Sequence, residues 1–279
     1  MVKHVIPKNV SEALNYLYDG DYKVIAGGTD LMIQKRNSAE LPPNFNSNML
    51  YAFNLEELKY VIKEEHQLRI GSMTSLETLL HHPDVPQLLK DVIMEMASPG
   101  IRNMATLAGN IANASPAGDS LVVLYLMDAI VVLSSIYQNR YLPVEKVISG
   151  PRKTVIQSNE LIKEIIIPNH DVTKTSWVKV GGRQADAISK VSFAGAITIK
   201  DDKVVDLRIA LGAISKTVVR DRNIEKLYRQ ETIAHLKDEV NNVLSHYKDI
   251  ISPIDDQRST KDYRIKVALN LIEDFINKL

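Results

Sequence analysis

Apolar and polar positions in the first part of the chain follow the periods of short helices and short strands. Ala13, Leu14 and Leu17 share one face of a predicted helix over residues 12–18, which Gly20 ends. Further helices are predicted at residues 75–82, 86–97 and 120–127. Strands are predicted at residues 22–26, 49–53, 60–63, 68–72, 129–134 and 161–168, and the three strands between residues 49 and 72 are expected to form one small sheet.

The second part of the chain has a different order of elements. Three strands are predicted in succession at residues 176–180, 191–200 and 204–211, followed by helices at 222–228, 233–245 and 261–278. Asp201 and Asp202 separate the last two strands, which predicts a tight hairpin turn. We therefore expect a three-stranded antiparallel sheet with helices on one face, a compact α+β unit. The polar stretch 169–175 marks a boundary, so we predict domains at residues 1–172 and 173–279.

Two stretches rich in glycine and short polar side chains interrupt these elements. Residues 106–120 read T-L-A-G-N-I-A-N-A-S-P-A-G-D-S, and residues 25–31 read I-A-G-G-T-D-L. The composition of the longer stretch argues against both helix and strand. It favours a loop whose backbone N–H groups wrap a phosphate-bearing ligand. The strand 22–26 leads directly into Gly27-Gly28, which allows close backbone approach. We interpret the stretches as halves of one cofactor-binding site; the alternative is two ordinary tight loops.

Charge and cysteine content exclude several functional classes. The 279 residues include 34 basic and 34 acidic side chains, so nothing indicates nucleic-acid binding, and local geometry must hold any anionic ligand. The chain has no cysteine, which excludes disulfides, a cysteine nucleophile and cysteine-ligated iron–sulfur or zinc sites within it. The N-terminus has no signal-peptide core, and Asp128 interrupts the apolar run 121–133. We therefore expect a cytoplasmic protein without a membrane span.

Motifs for hydrolysis and metal binding are also missing from the sequence. None of the seven histidines has a metal-binding spacing such as H-E-x-x-H, no serine lies in G-x-S-x-G, and neither G-x-G-x-x-G nor a Walker sequence occurs. Redox chemistry would therefore depend on a bound organic cofactor. Arg102 precedes the longer glycine stretch and could orient that stretch or meet a phosphate; the alternative is a surface or loop-bracing arginine.

A charged loop lies between two strands in the second part of the chain. Residues 179–190 read K-V-G-G-R-Q-A-D-A-I-S-K. Lys179, at the end of a strand, could stabilise negative charge on a reduced ring system. The alternative is a solvated hairpin tip, which the residues alone favour.

The order and spacing of these motifs resemble a known enzyme family. A-G-G-T-D-L, then T-x-x-G-N-I-A-N-A-S-P-A-G-D, then K-x-x-x-R-x-x-D-x-x-x-K, is similar to the FAD-binding (medium) subunit of the molybdenum hydroxylases, the xanthine dehydrogenase family. Residues 252–264 resemble the closing segment of that family, so the resemblance covers nearly the whole chain. It implies an α+β fold with a two-lobed FAD-binding domain of the p-cresol methylhydroxylase type. A small three-stranded antiparallel sheet with helices would follow, like the C-terminal domain of carbon monoxide dehydrogenase flavoproteins.

The resemblance also implies which residues bind FAD. Contacts to FAD, through its pyrophosphate, ribityl or ribose groups, are expected from Ile25, Ala26, Gly27, Gly28, Thr29, Asp30, Leu31, Thr106, Gly109, Asn110, Asn113, Ser115, Gly118 and Asp119. Leu161 or Ile162 is expected near the adenine or the ring system. Lys179 is expected to reach the flavin and Asp186 to border a nicotinamide site, with Arg183 and Lys190 as further candidates. No catalytic residue beyond the flavin and these candidates, and no metal ligand, is expected.

Two features depart from the family pattern. The family usually has two glycines before the asparagine at position 110, whereas the first of these positions is Ala108 here. A methyl group is tolerable there only if φ is negative. In addition, one subgroup of the family carries a cysteine-rich insertion for an iron–sulfur cluster, and a chain without cysteine cannot belong to that arrangement.

The function implied by the resemblance is electron transfer within a heterotrimer. A molybdopterin-binding large subunit would hydroxylate the substrate, and 2Fe-2S clusters on a small subunit would pass electrons to FAD on this chain and on to NAD+ or another acceptor. The sequence A-G-G-T-D-L-M favours the purine and N-heterocycle branch. The alternatives are a carbon monoxide, nicotinate or aldehyde dehydrogenase of the same family, a free-standing flavin oxidoreductase, and a non-catalytic α+β adaptor.

Overall fold

The computed structural model describes residues 2–38 and 40–279. The chain divides into two compact units, each built from separate segments of the sequence. The first unit comprises the residues up to Val85, Ala97–Ala114 and Ala129–Pro168, and the second comprises Pro86–Met96, Ser115–Asp128 and Asn169–Leu279. The domain boundary placed at residue 172 stays a prediction.

Short helices and strands alternate in the first unit, and longer ones dominate the second. The helices are α1 (Val10–Asp19), α2 (Leu31–Gln34), α3 (Leu76–His81), α4 (Gln87–Met94), α5 (Pro99–Arg102), α6 (Leu107–Asn113), α7 (Asp119–Leu126), α8 (Val144–Val147), α9 (Arg222–Leu227), α10 (Ile233–Asp238), α11 (Val240–Ile250) and α12 (Lys261–Asn277), with a 3-10 helix at Glu56–Leu58. The strands are β1 (His4–Val5), β2 (Tyr22–Ile25), β3 (Asn48–Tyr51), β4 (Val61–Lys63), β5 (Gln67–Gly71), β6 (Ile130–Ser134), β7 (Asn139–Pro143), β8 (Ile148–Gly150), β9 (Lys153–Thr154), β10 (Leu161–Pro168), β11 (Lys174–Val180), β12 (Val191–Lys200) and β13 (Lys203–Gly212).

A parallel three-stranded sheet of order β1-β3-β2 forms one layer of the first unit. In β2, Ile25 lies opposite Tyr51 of β3. Ala13 and Leu17 of α1 are buried against the same cluster as Leu50, which explains the apolar face read from the sequence. The chain leaves β2 at its carboxyl end and enters the shorter glycine stretch there, the edge at which parallel sheets commonly bind ligands.

An antiparallel five-stranded sheet of order β4-β5-β10-β6-β7 forms the other layer of the first unit. Its central strand, β10, has the bounds predicted from the sequence, because Ile165, Ile166 and Ile167 form a continuous buried run. The expectation that residues 49–72 form one small sheet is wrong, since β3 joins the parallel sheet whereas β4 and β5 join this one. Local periodicity specifies a strand but not its pairing partner.

The stretch 106–120 contains a helix, so the expectation that it forms neither helix nor strand is wrong. In α6 the Thr106 hydroxyl accepts the backbone N–H of Gly109 at 2.9 Å and caps the first turn. Leu107 and Ile111 are fully buried. Burial of that face, together with the cap, outweighs the low helix propensity of glycine and asparagine.

The end of α6 and the position of Ala108 follow from the same helix. Ala114 ends α6 in the left-handed conformation with φ of 46°. Ala108 lies inside the helix and has a negative φ, so its methyl group is tolerated where the family usually has glycine.

The second unit is built around the antiparallel sheet β11-β12-β13, as predicted. The β12–β13 turn has φ of 50° at Asp201 and 59° at Asp202, as a tight two-residue hairpin requires. Helices cover both faces of this sheet, which corrects the expectation of one. A Cβ atom on Gly195 would lie 2.9 Å from Phe275 of α12, whereas one on Gly212 would lie 2.6 Å from Val122 of α7.

Gly195 and Gly212 face opposite sides of the sheet. Gly212 pairs with Ser192, three positions from Gly195, and side chains alternate between faces along a strand. The segment that forms α7 ends at Leu126, long before the sheet begins at Lys174, and for that reason the linear order of elements did not predict its packing here.

The carboxyl end of α7 is held by arginines from the sheet side of the second unit. Arg220 donates Nη1 to the carbonyl oxygens of Tyr125 (2.6 Å) and Leu126 (3.1 Å), and Arg208 donates Nη1 to Leu126 at 3.1 Å. Positive charge at a helix carboxyl end also offsets the helix dipole. The same two arginines contact the carboxylate of Asp128, at 2.8 and 3.1 Å.

The predicted helix over residues 233–245 is two helices. Thr232 caps α10, and the chain turns at Glu239, where ψ of 9° lies outside the helical range, before α11 begins. Within residues 2–38 and 40–279, no helix combines the length and the apolar character of a membrane span.

Candidate functional site

The two glycine stretches, about 80 residues apart in sequence, are in direct contact in the first unit. A Cβ atom placed on Gly27 would lie 1.7 Å from the carbonyl oxygen of Met104 and 3.0 Å from the backbone nitrogen of Ala105. A Cβ atom on Gly109 would lie 3.9 Å from the methyl group of Ala26. Only glycine permits the first of these approaches, so the sequence at position 27 is what brings the two backbones together.

The shorter stretch turns sharply between β2 and α2. Gly28 has φ of 69°, a left-handed conformation that side chains rarely adopt, and its carbonyl accepts the N–H of Met32 at 2.8 Å. Asp30 occupies the N-cap position of α2 but makes no capping bond there. Its carboxylate is therefore available to partners from elsewhere in the unit.

Asn113, at the end of α6, joins three segments of the first unit. Its Nδ2 donates to Oδ2 of Asp30 at 3.0 Å. Its Oδ1 accepts from Nε2 of Gln34 at 3.0 Å and from Nη1 of Arg152 at 2.8 Å. The amide is thereby fixed in orientation, and it links the shorter stretch, the longer stretch and the turn between β8 and β9.

The two stretches line a cavity of about 480 Å³, within the usual range of small-molecule sites. Twelve of the sixteen predicted cofactor-binding residues lie in its wall: Ile25, Ala26, Gly27, Gly28, Thr29, Asp30, Leu31, Thr106, Gly109, Asn110, Asn113 and Leu161. Ile162, the alternative to Leu161, lines it too. The wall therefore combines backbone-rich polar loops with an apolar strand.

Several residues in the cavity wall were not predicted from the sequence, among them Gln34, Arg152 and Glu160. Arg152 and Gln34 reach the wall from the β8–β9 turn and from α2. Glu160 is buried there and binds Arg140 through two bonds, Nε–Oε1 at 2.6 Å and Nη2–Oε2 at 2.8 Å. That bond to Glu160 raises the pKa of Arg140. No motif marked these residues, because their position depends on sheet pairing rather than on local composition.

Four predicted cofactor-binding residues lie in the second unit: Ser115, Gly118, Asp119 and Lys179. Within that unit, Lys179 Nζ lies 2.8 Å from the carboxylate of Asp119 and donates to the carbonyl oxygen of Glu95 at 2.8 Å. Ser189 donates its hydroxyl to Asp119 at 2.5 Å. The Lys179 and Asp119 side chains are each 8% exposed, so they form a buried ion pair. Their expected contacts with FAD stay predictions.

The charged loop after β11 is held mainly by its own backbone. Arg183 donates to the carbonyl oxygens of Ala185 and Asp186 at 2.8 and 2.6 Å. Asp186 is exposed and has φ of 50°. Lys190 Nζ lies 5.6 Å from the ring centroid of Tyr263. The expected role of Asp186 beside a nicotinamide stays a prediction.

Arg102 joins α3 to the segment between α4 and α5. Its buried guanidinium donates to Glu77 at 2.8 Å and to the carbonyl oxygen of Ala97 at 2.9 Å. The contact with Arg102 lowers the pKa of Glu77. Of the roles left open for Arg102, the structure therefore supports loop bracing.

The closing segment is also structural. Arg264 on α12 donates Nη1 to the carbonyl oxygens of Lys190 and Ala213, at 3.0 and 2.7 Å, and Nη2 to Asp256 at 2.8 Å.

Two protein families match the sequence of this chain. The family of FAD-binding domains in molybdopterin dehydrogenases matches residues 1–170, and the family of carbon monoxide dehydrogenase flavoprotein C-terminal domains matches residues 176–279. The chain belongs to these families. It is an FAD-binding subunit of the molybdenum hydroxylase family, as the resemblance indicated.

Individual relatives of this flavoprotein subunit come from several branches. It is 30% identical over 269 residues to the glyceraldehyde dehydrogenase medium chain of Sulfolobus acidocaldarius, covering 95% of this chain and 93% of the relative. It is 30% identical to the nicotinate dehydrogenase FAD-subunit of Eubacterium barkeri, covering 70% and 68%. Carbon monoxide dehydrogenase from Hydrogenophaga pseudoflava shares the fold, with a TM-score of 0.87 at 24% identity over 98% of this chain and 95% of that one.

Three observations indicate that the residues of the cavity fit an FAD molecule. Gly27 leaves no room for a side chain, and Gly28 and Gly109 keep the polar wall free of side-chain bulk. The Oδ1 atom of Asn110, in the same wall, is buried and has no hydrogen-bond partner among the described residues. A ligand hydroxyl group would satisfy this atom, since a buried acceptor without a donor is costly.

Proposed function

We propose that this subunit passes electrons from iron–sulfur clusters on a partner subunit to an external acceptor, for which we propose NAD+. A large subunit that binds molybdopterin would oxidise the substrate of the complex. The subunit would therefore work within a heterotrimer and would not itself contact that substrate. The packing of Gly27 against the backbone of Met104 and Ala105, directly before the longer stretch, in a cavity wall that both stretches share, is the observation that supports this proposal most strongly.

Bound FAD supplies reversible two-electron redox chemistry that no side chain of this chain provides. The residues of the chain bind and orient it. Gly28 and Gly109 allow backbone N–H groups to approach phosphate oxygens, and Asn110 offers its unpaired carbonyl oxygen to a hydroxyl group. Leu161 and Ile162 present an apolar surface, which favours a flat ring and excludes water beside it.

The substrate of the complex is proposed to be a purine or another N-heterocycle. The sequence A-G-G-T-D-L-M supports that branch, and one relative is named for nicotinate. A second relative of equal identity is named for glyceraldehyde, so an aldehyde is the competing substrate class. We propose a cytoplasmic location, on the expectation drawn from the sequence.

An anaerobic titration of the purified, FAD-loaded subunit with NADH tests the acceptor. We expect the flavin absorption band to bleach, because a nicotinamide site beside the flavin allows direct reduction. A flavin band that NADH leaves unchanged would contradict NAD+ as the acceptor while leaving the FAD-binding role intact. A chain that binds no flavin even when FAD is added would support the adaptor alternative instead.

A further inference from the structure

Arg152 lies in the wall of the FAD cavity, in the turn that connects β8 with β9. Neither glycine stretch contains it, and it follows Asn113 by 39 positions. Arg140 does not line the cavity itself, but it binds the wall residue Glu160. Among the residues that the structure describes, Arg152 is therefore the only arginine that lines the cavity.

The position of Arg152 is fixed from both ends. Its backbone N–H donates to the carbonyl oxygen of Ala114 at 2.9 Å, and its Nη1 donates to Oδ1 of Asn113 at 2.8 Å. Its φ is 55°, a conformation that costs energy for a residue with a side chain. Two successive residues at the end of α6 thus hold the backbone and the guanidinium of one arginine.

The charge of Arg152 is not neutralised by a carboxylate within the described part of the chain. Ion pairs there join Arg140 to Glu160 in the same wall, but none includes Arg152. The nearby carboxylate of Asp30 binds the amide of Asn113 instead. A guanidinium has five N–H donors, and the bond to Asn113 uses one of them.

We propose that Arg152 binds the diphosphate of the dinucleotide, an inference that rests on the proposed FAD-binding function. A diphosphate carries negative charge on oxygens that a planar guanidinium matches with paired hydrogen bonds. The chain as a whole has no net charge, so a local cation would add to the attraction that the backbone N–H groups provide for an anionic group in this cavity. Asn113 orients Arg152 for this contact through Oδ1 and binds the carboxylate of Asp30 through Nδ2.

The test is an FAD titration of the apo-subunit at several salt concentrations, followed by flavin fluorescence. The variants are Arg152→Gln, Arg152→Lys and, as a matched control, Lys153→Gln, which removes a neighbouring exposed charge outside the cavity wall. At low salt we expect Arg152→Gln to weaken FAD binding roughly tenfold to a hundredfold, the usual range for a lost charge-assisted bond. Arg152→Lys should restore part of the affinity, and Lys153→Gln should leave it unchanged.

Salt dependence separates diphosphate binding from a purely structural role. Salt screens an ionic contact, so the difference between the wild type and Arg152→Gln should narrow as salt rises. A difference that salt leaves unchanged, without rescue by lysine, would mean that Arg152 only braces Asn113, and would overturn the proposal. Equal affinities of wild type and Arg152→Gln would overturn it too. If the wild type itself binds no FAD, the proposed function fails first, and that result is distinct because it precedes any variant.

Discussion

Single residues decide how closely the two glycine stretches approach each other. Gly27 is the strictest position, because a Cβ atom there would overlap the carbonyl group of Met104. Gly109 is less strict, since a Cβ atom there would lie 3.3 Å from its nearest neighbour, the hydroxyl oxygen of Thr106. The geometry of the cavity wall therefore depends more on residue 27 than on the other glycines that line it.

Replacing Gly27 by alanine should separate the two stretches and abolish FAD retention. The added methyl group meets backbone atoms that cannot move independently, and such overpacking typically costs about 1–3 kcal/mol in stability. The flavin-to-protein absorbance ratio after purification measures the effect. Gly100→Ala is the matched control, because nothing lies within 4 Å of a Cβ atom there. Wild-type flavin content in Gly27→Ala would contradict the assignment of the cavity.

Replacing Lys179 by methionine should destabilise the second unit whether or not FAD is present. The change leaves the carboxylate of Asp119 buried without its cation, and breaking a buried pair in this way costs about 3–5 kcal/mol. Urea denaturation of the apo-protein, followed by circular dichroism, measures the loss. The double variant Lys179→Met with Asp119→Asn should recover part of it. An unchanged apo-protein midpoint in the single variant would show that the pair contributes nothing to the fold.

The sequence predicted the glycine stretches but not the side chains that complete the cavity wall. Gly27, Gly28 and Gly109 stand out because their composition is a local signal. Arg152 and Glu160 reach the wall through the β8–β9 turn and the start of β10, so their role depends on tertiary structure. Local patterns contain no information about such approaches.

At the scale of elements, α7 shows how charges at a helix end fix its position in the second unit. Asp128 follows the helix and receives Arg222 at 2.6 Å, Arg220 at 2.8 Å and Arg208 at 3.1 Å. Burial raises the pKa of Asp128, but these arginines lower it by a larger amount. The pKa of Asp128 in the folded protein therefore lies below the usual value of 3.8. An acid with a lowered folded-state pKa stabilises the fold above its unfolded pKa and loses that contribution as pH falls through the folded pKa.

Replacing Asp128 by asparagine should therefore destabilise the protein at neutral pH by about 2 kcal/mol, the scale of a hydrogen bond to a charged group. Asparagine tolerates the left-handed φ of 53° at this position, so backbone strain does not contribute. Denaturation midpoints of wild type and variant, compared from pH 7 downward, measure the effect. The difference should begin to shrink below about pH 4, where the carboxylate of the unfolded chain becomes protonated, and should shrink further as pH falls through the lowered folded-state pKa. A pH-independent difference would contradict the ionic account.

Elements with a strong local signal were predicted well, and weakly patterned ones were not. β10 has the expected bounds, because four of its eight residues are isoleucines, a β-branched residue that favours buried strands. α6 was mistaken for a loop, because its residues have low helix propensity and its stability comes from the Thr106 cap and from burial. The single helix expected over residues 233–245 is interrupted at Glu239, where no glycine or proline in the sequence indicates a break.

At the scale of the whole molecule, the second unit uses two segments that precede its sheet in sequence. α4 and α7 belong to it, and α7 packs against β12 and β13. The sequence-based boundary at residue 172 separates these helices from that sheet. Linear order predicted the fold class correctly, but it could not predict which unit each helix joins.

A polypeptide of residues 173–279 should consequently fail to fold independently. Without α7, the sheet face around Gly212 is exposed, and Arg208 and Arg220 lose the carbonyl and carboxylate groups that they bind. Amide dispersion in an NMR spectrum, together with the cooperativity of thermal unfolding, measures this outcome. The complete chain under the same conditions is the control. A well-dispersed spectrum with cooperative unfolding would show instead that the boundary at residue 172 delimits an independent domain.

The central claim is that the cavity between the two glycine stretches binds FAD. Equilibrium titration of the purified apo-subunit with FAD, followed by flavin fluorescence and repeated with Gly27→Ala and Gly100→Ala, tests it most directly. We predict saturable binding of one FAD per wild-type chain, equal binding by Gly100→Ala and loss of binding by Gly27→Ala. FAD binding that is equally tight in all three proteins would contradict the location of the site, and absence of saturable binding to the wild type would contradict the claim itself.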